Sequence, residues 1–188
     1  MSIPSPRACR LLAATLLMVV VSAISAVPVA ALDSRWPTQE RFALSLLNCT
    51  RTGGWVKDNG VCIDRGSGKH STYRKPLTLK TLLANDIARP QARRVAKAGY
   101  LSHTIGGSIT TRFARAGIHC CAMGESIGHW RSGVRAAVIQ VTLMVQAEKG
   151  TNGWHWRNVK DARFHFVGIG AWAKGRDVYV AFDFWDGQ

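Results

Sequence analysis

Four polar residues stand out as candidates for chemistry in this chain: His103, Glu125, Glu148 and His155. Two imidazoles offer neutral nitrogen donors or a general base near neutral pH, and two carboxylates offer oxygen donors or proton acceptors. Each residue alone has a simpler reading. His103 is placed to cap the helix before it, and Glu125 to accept backbone hydrogen bonds inside a Gly-flanked turn. His155 sits in GWHWRNVKDARFHFVGIGAW, residues 153–172, whose second half alternates small and apolar residues like a buried strand. A histidine ahead of a core strand is most often structural. Glu148 falls at the end of a helical run, where the macrodipole disfavours a carboxylate, so it is the least explained of the four. The generic signatures of catalysis are absent: the chain has no His-Glu-x-x-His, Gly-x-Ser-x-Gly, phosphate-binding loop or dinucleotide fingerprint.

A shared site requires the elements between these residues to bring them together. Residues 38–48 place Phe42, Ala43, Leu46 and Leu47 at helical spacing, with Gly53-Gly54 as a stop. A polar loop follows over residues 58–75. The spacing predicts a second helix over 79–98, with Leu82, Leu83, Ile87 and Val95 as its apolar face and Pro90 as an interruption or kink. YLSHTIGGS then exits with His103, and Ser108 caps a short helix through Ala116. GIHCCAMGESIGHW, which carries Glu125, has no regular period. From Ser132, Val134, Ala137, Val138, Val141 and Val145 mark one face of a third substantial helix. Residues 164–173 and 178–185 alternate as strands around a Lys-Gly-Arg-Asp turn. Helices followed by a terminal antiparallel hairpin make the fold class α+β, in one domain spanning 32–188.

The 188 residues, 47% hydrophobic with seven Trp, suffice for one core and exclude a disordered chain. Arg7 and Arg10 precede an apolar run from Leu11, and Pro28 breaks it before Val29-Ala30-Ala31, the pattern of a signal peptide over 1–31. Secretion with cleavage after Ala31 is the expectation. The alternative is a membrane tether, because the uncharged stretch 11–32 is long enough to span a bilayer. Residues 1–31 hold two arginines and no acid, so their loss lowers the net charge of +14 by two, to +12. Such a charge attracts anionic surfaces: phospholipid, anionic wall polymer or nucleic acid. The basic residues are scattered, and no basic-plus-aromatic stripe signals specific nucleic-acid recognition. The mature chain keeps Cys49, Cys62, Cys120 and Cys121, which allow three pairings. No Cys-x-x-Cys pair supports a structural zinc site. Cys49 and Cys62 flank a Gly-containing loop able to bring its ends together, and a bridge there would contribute about 3 kcal/mol. A bond between the neighbours Cys120 and Cys121 would be strained.

Three blocks in order carry a resemblance. YLSHT is similar to an aromatic/apolar-Ser-His segment, GESIG to Gly-Glu-Asn-Ile/Leu, and HWRNVKDARFHFVGIGAW to His-Arg-x-Asn-Ile-Leu-Asp-Pro-Arg-Phe followed by Val-Gly-Val-Gly. Together they resemble the CAP superfamily of cysteine-rich secretory, antigen 5 and pathogenesis-related 1 proteins, in its secreted bacterial branch. The resemblance covers residues 37–185. It implies a three-layer α-β-α sandwich with a central antiparallel sheet and a cleft lined by two histidines and two acids. Carried over, these are His103, Glu125, Glu148 and His155, a set that holds zinc or another divalent ion in some members. The chain departs from the pattern at Trp156, Ser126, Lys160 and Ala162, which stand for Arg, Asn, Leu and Pro.

The resemblance implies a binding or interaction module, a monomer, for a lipid or sterol, cell-wall or host ligand. The alternative is a zinc-dependent hydrolase in which Glu125 or Glu148 serves as general base. A basic secreted nuclease using His155 and Asn158 is a third reading; it lacks an acidic metal cluster.

Overall fold

The structure is a computed structural model that describes residues 36–64, 73–119 and 121–187; the expected signal peptide over 1–31 and Cys120 lie outside them. Helix α1 (Pro37–Arg51) starts with Pro37 in its first turn, where a missing N–H costs nothing. It buries Ala43, Leu46, Leu47 and Cys49. Past the Gly53-Gly54 stop, a small hairpin forms from β1 (Trp55–Val56) and β2 (Cys62–Ile63). The Cys49–Cys62 disulfide ties it to α1, as the loop between them suggested.

The main sheet has the strand order β3-β5-β6-β4. Strands β4 (Met123–Arg131), β5 (Phe166–Lys174) and β6 (Asp177–Trp185) are antiparallel, whereas the short β3 (Thr78–Leu79) runs parallel to β5. The centre of the sheet is antiparallel as expected, and β3 adds one parallel pairing at an edge. Alternation along β6 sets the layers. Val178, Val180, Phe182 and Phe184 share a core with α1 and with α5 (Val134–Ala147), while Tyr179 and Ala181 pack with Ala88, Ala92 and Val95 on the other face. The result is α+β with helices on both faces of the sheet.

The second helical run begins two residues later than expected, because Leu79 belongs to β3. It passes from α2 (Thr81–Leu83) through a π-helical turn (Ala84–Ala88) into α3 (Arg89–Ala98). The wide turn lies just where Pro90 removes an N–H and crowds the preceding turn, so the helix widens instead of stopping. Leu83, Ile87 and Val95 are buried as expected, but Leu82 is 38% exposed. The helix sits directly on β5. A Cβ at Gly168 would lie 2.4 Å from the Leu83 carbonyl carbon, and one at Gly170 would lie 2.4 Å from that of Ala88.

GIHCCAMGESIGHW, irregular as a sequence, supplies β4. Glu125 is therefore on a strand and not in a Gly-flanked turn. Its stretch does alternate, though by size. Cβ atoms at Gly124 and Gly128 would collide with Phe164 and Val141, whereas Ile127 packs among Ala88, Ala92 and Val95. His155 likewise is not at the entry to a strand. It belongs to a separate short helix, α6 (Trp154–Lys160), five residues before β5. The end of α6 is fixed by Arg51, a fully buried guanidinium that donates to the carbonyls of Lys75, Val159, Asp161 and Phe164.

Candidate functional site

β4 is an edge strand, and a cleft of about 740 Å³ lies across its first residues. His103, Glu125, Glu148 and His155 all line it. They are delivered by four different segments: the loop after α3, strand β4, the end of α5 and the start of α6. The structure brings them together as two imidazole–carboxylate pairs.

In the first pair, His103 Nδ1 lies 2.6 Å from Glu125 Oε1. The loop bearing His103 is held from below by Arg112, on α4 (Ile109–Arg115), which donates to the carbonyls of His103 (2.8 Å) and Gly107 (2.7 Å). Ser108 caps α4 as expected, accepting from Thr111 N–H at 3.2 Å. Arg112 is almost fully buried and pairs with the second oxygen of Glu125. Beneath them, Glu125 faces its cross-strand partner Asp183, which is completely buried. Neither Asp183 oxygen meets an N–H or O–H donor among the described residues. Two carboxyl groups in contact hold together when one keeps its proton. Burial, then the Glu125 charge, push the Asp183 carboxyl well above the usual carboxylate range, against the opposing pull of Arg112. Burial beside the Glu125 carboxylate thus favours the protonated form of Asp183.

In the second pair, His155 Nδ1 lies 2.6 Å from Glu148 Oε1. The other oxygen, Oε2, accepts the backbone N–H groups of His155 (2.8 Å) and Trp156 (3.3 Å). Glu148 therefore ends α5 but caps α6, and the macrodipole that disfavours it in one helix favours it in the next. Gly153 makes room, because a Cβ there would lie 2.5 Å from Glu148 Oε2. Burial raises the Glu148 pKa, yet the hydrogen bonds and charge of His155 and the Trp156 N–H outweigh it, leaving the group below its ordinary value.

A carboxylate only accepts, so in the neutral form of each imidazole Nδ1 carries the proton and Nε2 offers its lone pair. Asn158, one helical turn beyond His155, donates to the Glu125 carbonyl at 2.8 Å and to Ser126 Oγ at 3.2 Å, joining the two halves of the cleft. Its hydrogen bonds give it a positional role, tying α6 to β4. The other histidines with side-chain partners point elsewhere: His129 pairs with Asp177 and His165 with the Asp186 carbonyl. Among the described residues, no group of three or more His, Cys, Asp or Glu is arranged to hold a metal ion. The available donor set is accordingly two imidazole nitrogens with carboxylates behind them, not four converging ligands. Arg112 and Asp183 escaped the sequence reading. Arg112 looks like any of the surface arginines around it, but Asp183 left a trace, as a lone acid inside the alternating AFDFW.

No protein-family model and no curated protein matches the chain. Solved structures do. An extracellular SCP-domain protein from Bacillus anthracis superposes with a TM-score of 0.57 at 17% identity, over 79% of this chain and 40% of that one. The chain thus spans well under half the length of that protein. NaASP2, solved with Zn2+, superposes at 0.50 and 13% identity, over 85% of this chain and 83% of its own. The fold is that of the CAP superfamily. At such identities the likeness establishes the CAP architecture, and the cleft must speak for itself. Among the described residues no helix is long and apolar enough to cross a membrane.

Proposed function

We propose that the chain is an exported CAP-type binding module whose cleft takes a divalent cation, zinc by preference, through Nε2 of His103 and of His155. The observation that carries this reading is the pairing of both imidazoles, each through Nδ1 at 2.6 Å, with a carboxylate in one cleft. Carboxylate–histidine–metal arrangements use this order, in which the carboxylate fixes ring and tautomer and raises the basicity of the far nitrogen. Two nitrogens suit a borderline ion and leave the rest of its coordination to water or ligand. When bound, such an ion supplies a Lewis acid and a cationic anchor for an anionic group. The chain's own residues supply the rest. Arg112 and Asp183 hold Glu125, Gly153 admits Glu148 to α6, and Asn158 fixes β4 against α6.

The mouth of the cleft suits an amphipathic ligand from an envelope or host surface. Trp154 is 73% exposed and carries the Arg157 guanidinium 4.2 Å from its ring centroid, a flat apolar platform with a charge beside it. The net positive charge of the exported chain draws anionic partners towards it.

Calorimetry with zinc on wild type, His155→Ala and His165→Ala at pH 7.5 and 5.5 tests the reading. Wild type and His165→Ala bind at pH 7.5 and lose affinity at 5.5, because protons compete with the metal for its ligands. His155→Ala binds far more weakly at both. Equal affinity in wild type and His155→Ala would reduce the two pairs to a hydrogen-bonded framework.

A further inference from the structure

A second cavity, of about 220 Å³, opens on another face of α6. His155 and Asn158 look into the cleft, whereas Trp156 and Lys160, also a helical turn apart, line this smaller space with Trp55, Lys149 and Asp64. Trp156 and Lys160 are two of the positions at which the chain departs from the CAP motif, so this cavity belongs to the chain and not to the motif.

Its chemistry is cationic and aromatic. Lys149 Nζ lies 5.9 Å from the Trp55 ring centroid and 6.0 Å from that of Trp156. Lys160 Nζ lies 5.0 Å from the Trp156 centroid, and it donates to the carbonyls of Thr50 (2.5 Å) and Arg51 (3.1 Å), which hold it in place. Behind the wall stands Arg51, whose hydrogen bonds all go to carbonyls. The acid nearest it, Asp161, is engaged by Arg163. Arg74 adds a further charge, donating to the Lys160 carbonyl at 3.0 Å. Among the described residues, Asp64 is the single acid lining the cavity. The positive potential registers on Lys160, whose pKa falls to about 8, first through burial and then through the charges of Arg51, Arg74 and Lys149. Low-dielectric walls focus such a field on whatever occupies the space.

We propose that this cavity binds a single-ring phosphomonoester, its phosphate held by Lys149 within the positive field of Lys160 and Arg51 and its ring against Trp55 and Trp156. A phosphomonoester carries close to two negative charges at neutral pH, which matches two ammonium groups more closely than a carboxylate does. The space is smaller than an ordinary ligand pocket, which limits the body to one ring. Trp55 is 43% exposed and offers it an open indole surface.

The test titrates phenyl phosphate into the purified mature chain at pH 7 and fixed ionic strength, with calorimetry and indole N–H shifts in NMR spectra as readouts. Inorganic phosphate and benzoate serve as comparators. Phenyl phosphate binds saturably at one site, more tightly than either comparator, and shifts the indole signals of Trp55 and Trp156 but not that of Trp154. Lys149 is exposed, so Lys149→Met keeps the fold, and it weakens binding by about tenfold, the loss of one charge-assisted contact. Four results would each overturn the proposal. They are no saturable binding at millimolar phenyl phosphate, shifts at Trp154 in place of Trp55 and Trp156, unchanged affinity in Lys149→Met, and benzoate binding as tightly as phenyl phosphate.

Discussion

Replacing Asp183 by Asn should stabilise the protein at neutral pH. The wild-type carboxyl is completely buried and faces Glu125, and burial with that neighbouring charge raises its pKa well above the usual carboxylate range. In the unfolded chain the same group ionises near its ordinary value of about 3.9. A carboxyl whose folded pKa is raised contributes its stability in full below that unfolded value and loses it as pH rises towards the folded one. Over that interval one proton costs about 1.4 kcal/mol per pH unit. Wild type therefore loses stability from this group as pH rises above the unfolded value, with that slope as the ceiling. Asn occupies nearly the same volume, presents an N–H₂ to Glu125, and does not titrate. Urea unfolding of both proteins by circular dichroism at pH 5, 6 and 7 measures the difference. The expected outcome is a gap that favours Asp183→Asn and widens with pH. A gap independent of pH, or a less stable Asn variant at pH 7, would refute a protonated Asp183.

Two further substitutions follow from the packing of the site and its support. Gly170→Ala drives a methyl into the backbone of Ala88 and Arg89, which cannot rotate away, so thermal melting should show a loss of about 3 kcal/mol or more. Glu148→Gln removes the charged cap of α6 and should cost about 1 kcal/mol at pH 7, the ordinary worth of a helix cap. Because the Glu148 pKa is lowered in the fold, this difference should shrink as acidification in the melts protonates the wild-type group, and a constant deficit would argue against the cap.

The parts of this molecule that were legible from sequence are those in which one face is apolar and the other polar. Helix α5 announces itself through Val138, Val141 and Val145, and the hairpin of β5 and β6 through strict alternation about Lys174-Gly175-Arg176-Asp177. β4 was illegible for a physical reason. Helices α5 and α6 press so closely on one face that it carries Gly124, Ser126 and Gly128, and its other face carries the polar Glu125 beside Ile127. The alternation is one of size, invisible to a reading based on hydropathy. The cleft shows the same division. Motif resemblance, not spacing, supplied its four residues. Their division into two pairs depends on Glu148 reaching across a turn to α6, which no periodicity encodes. Arg112 is written in the sequence like its exposed neighbour Arg115, and only burial separates them.

The position of the cleft on β4 has a consequence for how the chain behaves in company. A sheet ends in two unpaired rows of backbone groups, and a foreign strand can add to either. Here one end is β3, a strand of only two residues, too short to template a neighbour. The other is β4, nine residues long and otherwise an open invitation to strand addition. At Glu125 and Ser126 that border is closed by Asn158, whose amide already holds the Glu125 carbonyl an incoming strand would need. Loosening the cleft wall at Asn158 would therefore expose a sticky margin as well as a site, and self-association would be expected to accompany any loss of binding.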